Sequence, residues 1–336
     1  MSLEIFWFCL IAVLWGGYFV LEGFDFGVGM LAPVVGRDDD ERHRVIETIG
    51  PVWDGNEVWL VVAAGATFAA FPAWYATMFS GLYLLLLAIL VCLIVRAVSF
   101  DWRGRGDGER WHRSWRWAST AASVGAPFFW GVGLAALLHG LPLGSDQTFT
   151  GDVGDVFSAY TVLVGLATVL LFAFHGATFL TLRLEGALGE RAATLARRLA
   201  LPTVVVVAGV LAWTVAVAID RNDRGLLPVL VPAVAGAGGV AVAAVLVRAR
   251  RTGWAFAATA VTAAMIVATL FTGLYPRVIV SYPDFSNSLT LSDAATGHYA
   301  LSVITVVAAI CTPVVLLYQG WAYHVFRARV GGARSV

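Results

Sequence analysis

The chain has 336 residues, 59% of them hydrophobic and only 13% charged, and its 22 basic and 22 acidic residues cancel to a formal net charge of zero. Soluble domains carry about a quarter charged residues, so half that share cannot clothe a water-soluble globule, and a chain without net charge offers no bulk basic field for nucleic acid. The bilayer suits this composition, and it forces the backbone into helices or closed barrels; apolar runs of about 20 residues without period-2 alternation select helices.

Nine spans are expected in chain order. The first, over 5–34, contains Glu22 and Asp25, three residues apart and therefore on one helix face. The second, 52–71, opens on Trp53-Asp54-Gly55-Asn56-Glu57-Val58-Trp59, with Asp54 and Glu57 again three apart. The third, 75–99, and the fourth, 117–141, flank an arginine-rich connection. The fifth, 156–182, holds His175 at mid-depth. The sixth, seventh and eighth run over 199–219, 226–247 and 254–275. The ninth, 298–326, contains Pro313, which should kink it. The expected fold is an all-α integral membrane protein, with two four-helix bundles and one peripheral helix in a single domain over 1–336. No basic n-region opens the chain, so no cleavable signal peptide is expected.

Charge in the connections sets the orientation. Alternate connections and the tail hold 19 arginines, and the opposite side holds Arg221, Arg224 and Arg277. The positive-inside rule then places the N-terminus outside and the C-terminus in the cytoplasm. Asp25 and Asp54 fall near the cytoplasmic boundary, so two neighbouring helices bring Glu22, Asp25, Asp54 and Glu57 to one depth. An ionisable group at bilayer depth costs roughly 2.5–3.5 kcal/mol on insertion scales. These acids either snorkel to water and pair with Arg37, Arg42 or Arg44, or form a proton-entry cluster in which Asn56 and nearby glycines leave room for water.

Histidines speak to haem. His175 is the one deep histidine and reads as a hydrogen-bonded interior residue; His139, His298 and His324 lie near membrane faces, and His43 and His112 lie in arginine-rich connections. The two-helix histidine pair usual for haem is not evident. Cys9, Cys92 and Cys311 are far apart and lack metal-type spacing. Most tryptophans cluster toward span ends, as interfacial belts do.

Several segments together resemble one family. Glu22-Gly23-Phe24-Asp25-Phe26-Gly27-Val28-Gly29-Met30-Leu31 and Trp53-Asp54-Gly55-Asn56-Glu57-Val58-Trp59-Leu60, the latter followed by Gly65 and Phe68-Ala69-Ala70-Phe71-Pro72, resemble signatures of subunit II of cytochrome bd-type quinol oxidases. Arg96 with Phe100-Asp101-Trp102-Arg103, and Asn287-Ser288-Leu289-Thr290 with Asp293-Ala294, are similar to later segments of that family. The middle of the chain, about 117–275, matches mainly by hydropathy.

The resemblance implies a haem-free subunit paired with a subunit I that carries haems b558, b595 and d. The complex would oxidise quinol and reduce dioxygen to water with cytoplasmic protons in the bacterial inner membrane. It also implies that Asp25 and Asp54 lie on a proton route, with Glu22, Glu57 and Asn56 beside it, and that Trp59 borders an apolar tunnel for dioxygen. Glu22 stands where other members can have aspartate, which keeps the acidity. A structural quinone, bound lipids and a small accessory subunit are compatible with the family. The reading from another class is a proton-coupled secondary transporter, against which stand the missing inverted repeat and the missing mid-membrane helix breaks.

Overall fold

The computed structural model describes residues 2–102, 106, 108–326 and 329; Arg103, Arg105, Arg327 and Arg334 lie outside them. The helices are α1 (Leu3–Val35), α2 (Asp39–Glu47), α3 (Trp53–Ala70), α4 (Pro72–Gly81), α5 (Tyr83–Trp102), α6 (Glu109–His139), α7 (Ala159–Arg183), α8 (Gly186–Asn222), α9 (Leu226–Arg248), α10 (Thr252–Leu274), α11 (Leu291–Ala294) and α12 (His298–Val325). Short strands β1 (Arg277–Ile279) and β2 (Leu289–Thr290) pair antiparallel in the connection before α12.

Local chemistry starts and stops these helices. Ser2 caps α1 by accepting from the Ile5 amide, and Asp38 caps α2 by accepting from the Glu41 amide at 2.8 Å. Ser158 and Thr161 form a reciprocal capping box at the start of α7. Phe71 leaves helical geometry just before Pro72, which opens α4 at its first position, where a missing N–H costs nothing.

Among the described residues, eight helices are long and apolar enough to cross a bilayer: α1, α5, α6, α7, α8, α9, α10 and α12. The expected second span is α3, an 18-residue helix. Its polar opening holds it below the hydropathy of the other eight, although it packs on α1 as they pack on one another. Three boundaries differ from the sequence reading, the fourth span beginning at Glu109, eight residues before the expected 117. The third span is broken at Leu82 into α4 and α5. The sixth begins 13 residues earlier than expected, because the arginine-bearing stretch from Gly186 is itself helical in α8.

α1, α3, α5 and α6 form one group and α7, α8, α9 and α10 the other, with α1 lying against both α7 and α10. In lipid no hydrophobic force drives helices together, so close approach rests on small residues. Gly27 and Gly176 provide it between α1 and α7: a Cβ on Gly27 would stand 2.1 Å from the Phe172 carbonyl oxygen and 2.7 Å from the Gly176 Cα. α12 is the peripheral helix. It runs unbroken through Pro313, packs on α3 and α1, and has Leu301 as its buried residue.

Candidate functional site

The site grows from one face of α1. Glu22 and Asp25 are both fully buried, because α1 continues ten residues past Asp25 to Val35 and then turns into α2, which packs back on it. The acids therefore sit inside the helix group, not at an open rim as the sequence reading placed them.

Arg96 on α5 supplies the cation. It is fully buried, its Nη1 donates to Glu22 Oε1, and the same nitrogen reaches Glu57 Oε1 at 3.3 Å. Its guanidinium lies 4.4 Å from the Phe26 ring centroid and 5.6 Å from that of Phe100, which replaces part of its lost hydration by cation–π contact. Arg96 was counted among the loop arginines from sequence. It sits six residues inside α5, flanked by Val95, Ala97 and Val98, and that apolar flank was the signal that it belonged in the membrane. The asymmetry of the remaining arginines is unaffected.

Asp25 is held from α3. The Asn56 amide nitrogen donates to Asp25 Oδ2 at 2.7 Å, and Asn56 is itself fully buried. The far side of that amide is taken by α12: Tyr323 Oη donates to Asn56 Oδ1 at 2.8 Å and Gln319 Nε2 at 3.2 Å. Neither Gln319 nor Tyr323 was singled out from sequence, since a lone Gln and a Tyr near the end of an apolar span look like interfacial residues. Several buried atoms keep no protein partner: Glu22 Oε2, Asp25 Oδ1, and Arg96 Nε and Nη2. Buried polar atoms normally find a partner or water, so this cluster is suited to hold water.

Of the predicted acids, Glu22, Asp25 and Glu57 are brought together with Asn56, while Asp54 is exposed at the opening of α3. The expectation of four carboxyls in one cluster thus reduces to three with a fourth on the surface. Residues three apart share a face, but the interhelical approach turns the Glu57 side of α3 inward and leaves Asp54 one turn nearer its end. The Trp59 ring packs against Gly17, where a Cβ would meet it at 2.3 Å. It lines two apolar cavities, ≈ 550 Å³ between α1, α3 and α12 and ≈ 640 Å³ between α1, α10 and α12.

His175 is the interior hydrogen-bonded histidine that the sequence indicated. Nδ1 lies 2.7 Å from Thr259 Oγ1 on α10, Nε2 lies 3.0 Å from the Val20 carbonyl on α1, and the ring stacks on Phe256 at 4.7 Å. Both ring nitrogens are engaged, so this residue does not fit an axial ligand. No group of three metal-ligating side chains occurs among the described residues.

Fold and site together define a multi-pass membrane protein with a buried carboxylate–guanidinium cluster at its arginine-rich end. The chain belongs to the cytochrome bd terminal oxidase subunit II family, whose model matches residues 3–326. It is 40% identical over 334 residues to cytochrome bd ubiquinol oxidase subunit 2 of Bacillus subtilis, covering 98% of this chain and 97% of that one. It is 33% identical over 360 residues to cytochrome bd-I ubiquinol oxidase subunit 2 of Escherichia coli K12, covering 98% and 95%. The fold matches a chain in the structure of bd oxidase from Geobacillus thermodenitrificans with a TM-score of 0.76 at 22% identity, over 97% of both chains.

Proposed function

We propose that this chain is the haem-free subunit II of a bacterial quinol:oxygen oxidoreductase, and that it carries cytoplasmic protons toward oxygen reduction in a haem-bearing subunit I. The relatives are named as ubiquinol oxidase subunits, and that naming is the basis for quinol as the reductant. The assignment of the haems to subunit I is supported by the deep histidine here, His175, whose two ring nitrogens both have protein partners.

The observation that carries the proton reading is the buried set Glu22, Asp25, Glu57 and Arg96. Glu22 and Glu57 share one guanidinium and Asp25 lies one turn from Glu22 on α1, so a proton can be exchanged among the three with little change in packing. Asp54, exposed where α3 begins, would collect protons at the cytoplasmic face. Glu57, whose side chain is 22% exposed, links that face to Arg96 and Glu22, and Asp25 lies one turn nearer the same face on α1. The unpartnered atoms of Glu22, Asp25 and Arg96 supply the contacts by which water would connect these groups. Trp59, between two apolar cavities open toward the hydrocarbon, borders the route by which dioxygen would enter.

Asp25→Asn and Asp54→Asn, each made in the assembled oxidase, test the route. Quinol-driven oxygen consumption should fall at least tenfold for Asp25→Asn and by a smaller factor for Asp54→Asn, while the reduced-minus-oxidised haem spectrum stays unchanged. Full turnover in both would make the acids structural and remove the proton role.

A further inference from the structure

α12 needs a physical reason to stay where it is. Among its 28 residues Leu301 is the buried one, and in lipid an apolar face gains nothing by leaving the hydrocarbon. Polar contacts hold it. Near its start Trp7 Nε1 donates to Thr305 Oγ1 at 2.8 Å; past its end Arg183 Nη1 donates to the Phe326 carbonyl at 2.5 Å. Between these, Gln319 and Tyr323 sit four residues apart on one face and meet at a single atom, Asn56 Oδ1.

That atom belongs to an amide with two unlike sides. An ionised carboxylate only accepts, so the Asn56 NH2 must face Asp25. The carbonyl oxygen must then face α12, buried, where it needs donors. Tyr323 and Gln319 provide two. With the amide turned over, its oxygen would face Asp25 and could be satisfied only by a protonated carboxyl, while Tyr323 would have to accept instead of donate and Gln319 would have to turn its own amide. As placed, the α12 pair favours one orientation of Asn56, and that orientation favours the ionised form of Asp25.

We propose that Gln319 and Tyr323 of α12 are positioning residues for the proposed proton carrier Asp25, acting through the Asn56 amide. The inference rests on the proton-carrier reading above and deepens it. A helix without a carboxyl of its own would set when Asp25 releases its proton. The other groups acting on Asp25 are Glu22 on α1, Glu57 on α3 and Arg96 on α5, and Arg183 on α7 acts on Tyr323. All remain in place in the variants below.

Tyr323→Phe removes one oxygen and keeps the ring. Losing one hydrogen bond to the amide, worth about 1 kcal/mol, corresponds to roughly half to one pH unit. In the purified oxidase, the pH profile of turnover should move its alkaline limb upward by that amount, with the haem spectrum unchanged and the complex fully assembled. The infrared carboxylic C=O band lost in Asp25→Asn should titrate higher in Tyr323→Phe by the same amount. Gln319→Leu should act in the same direction, and Gln319→Asn, a shorter donor, should restore part of the shift. In an Asn56→Leu background, Tyr323→Phe should add nothing; if that background does not assemble, the two single α12 variants decide. An Asp25 band and pH profile unmoved by both Tyr323→Phe and Gln319→Leu overturn the proposal, even if Asp25→Asn stops turnover. A band that moves while Asp25→Asn leaves turnover intact keeps the positioning and instead sinks the proton-carrier reading on which its function rests.

Discussion

Replacing Arg96 by leucine is the sharpest test of the buried cluster. Glu22 accepts from Arg96 through Oε1, its Oε2 has no partner, and it is fully buried. Arg96→Leu strips this carboxyl of its bond from the guanidinium and leaves it buried without its countercharge. Removing one member of a buried ion pair costs about 3–5 kcal/mol. Glu57 loses its 3.3 Å contact at smaller cost, since its side chain is 22% exposed and can hydrate. At roughly 2 °C per kcal/mol for a chain of this size, the thermal midpoint of the detergent-solubilised complex should fall by about 6–10 °C at a fixed scan rate. The double variant Arg96→Leu/Glu22→Leu removes both charges and should recover at least half of that loss, because an apolar pair of similar volume is commonly neutral beside the intact ion pair. Differential scanning fluorimetry of the four proteins gives the cycle. A single variant as stable as the parent, or a double variant showing the plain sum of two losses, would refute the pairing.

Other outcomes follow from separate parts of the structure. Gly27→Ala places a methyl 2.1 Å from the Phe172 carbonyl oxygen, which should cost about 1–3 kcal/mol by overpacking and lower the yield of assembled complex. Gly238→Ala, with nothing within 4 Å, should be silent in the same assay. Asp39 accepts from Arg42 at 2.8 Å and from Arg116 at 3.3 Å, and the hydrogen bond from Arg42 holds its carboxyl below the usual range. The stabilisation this provides is therefore present above the ordinary carboxylate pKa of about 4 and is lost as pH falls through the depressed value. Amide exchange across α2, taken relative to Asp39→Asn, should show protection that disappears only below that range, and Arg42→Ala should abolish it; equal exchange at every pH would count against the tie. Trp59→Ala joins the two cavities that Trp59 lines and should change the oxygen concentration at half-maximal turnover by several-fold, whereas an unmoved oxygen dependence removes Trp59 from the dioxygen route.

The helices were legible because a bilayer leaves little choice: long apolar runs, arginines on alternate connections and Pro72 marking a boundary are all local signals. What escaped was set by approach in three dimensions. The break between α4 and α5 at Leu82 follows Gly81, which in sequence looks like any of the packing glycines spread through the helices. Arg96 looked like the first residue of a basic loop because five more arginines follow it before residue 117, and only its pairing with a residue 74 positions away shows that it belongs inside. Gln319 and Tyr323 reach Asn56 across more than 260 residues, a separation that no periodicity encodes. Spacing put Asp54 and Glu57 on one face, but it could not say that Glu57 would reach Arg96 on α5 while Asp54 stays exposed.

The contrast between this cluster and the rest of the interior argues for a role beyond stability. Elsewhere in the membrane-spanning part many buried polar groups are satisfied by the nearest means, and those that lack a partner, such as Tyr18 Oη, Trp74 Nε1, Ser123 Oγ and Trp130 Nε1, belong to groups without a formal charge. Thr67, Thr203, Thr214 and Thr269 each return a hydroxyl to the carbonyl four residues before, and His175 engages both nitrogens. Glu22, Asp25 and Arg96 are as deeply buried, but they are ionisable, and each keeps an atom without a protein partner. A core selected for stability alone would replace them, since apolar residues of similar volume serve as well or better. Local rules broken without a structural return mark the places where function has been bought with stability. A triple variant Glu22→Leu/Asp25→Leu/Arg96→Leu that folds, assembles and turns over like the parent would show that here no such exchange was made.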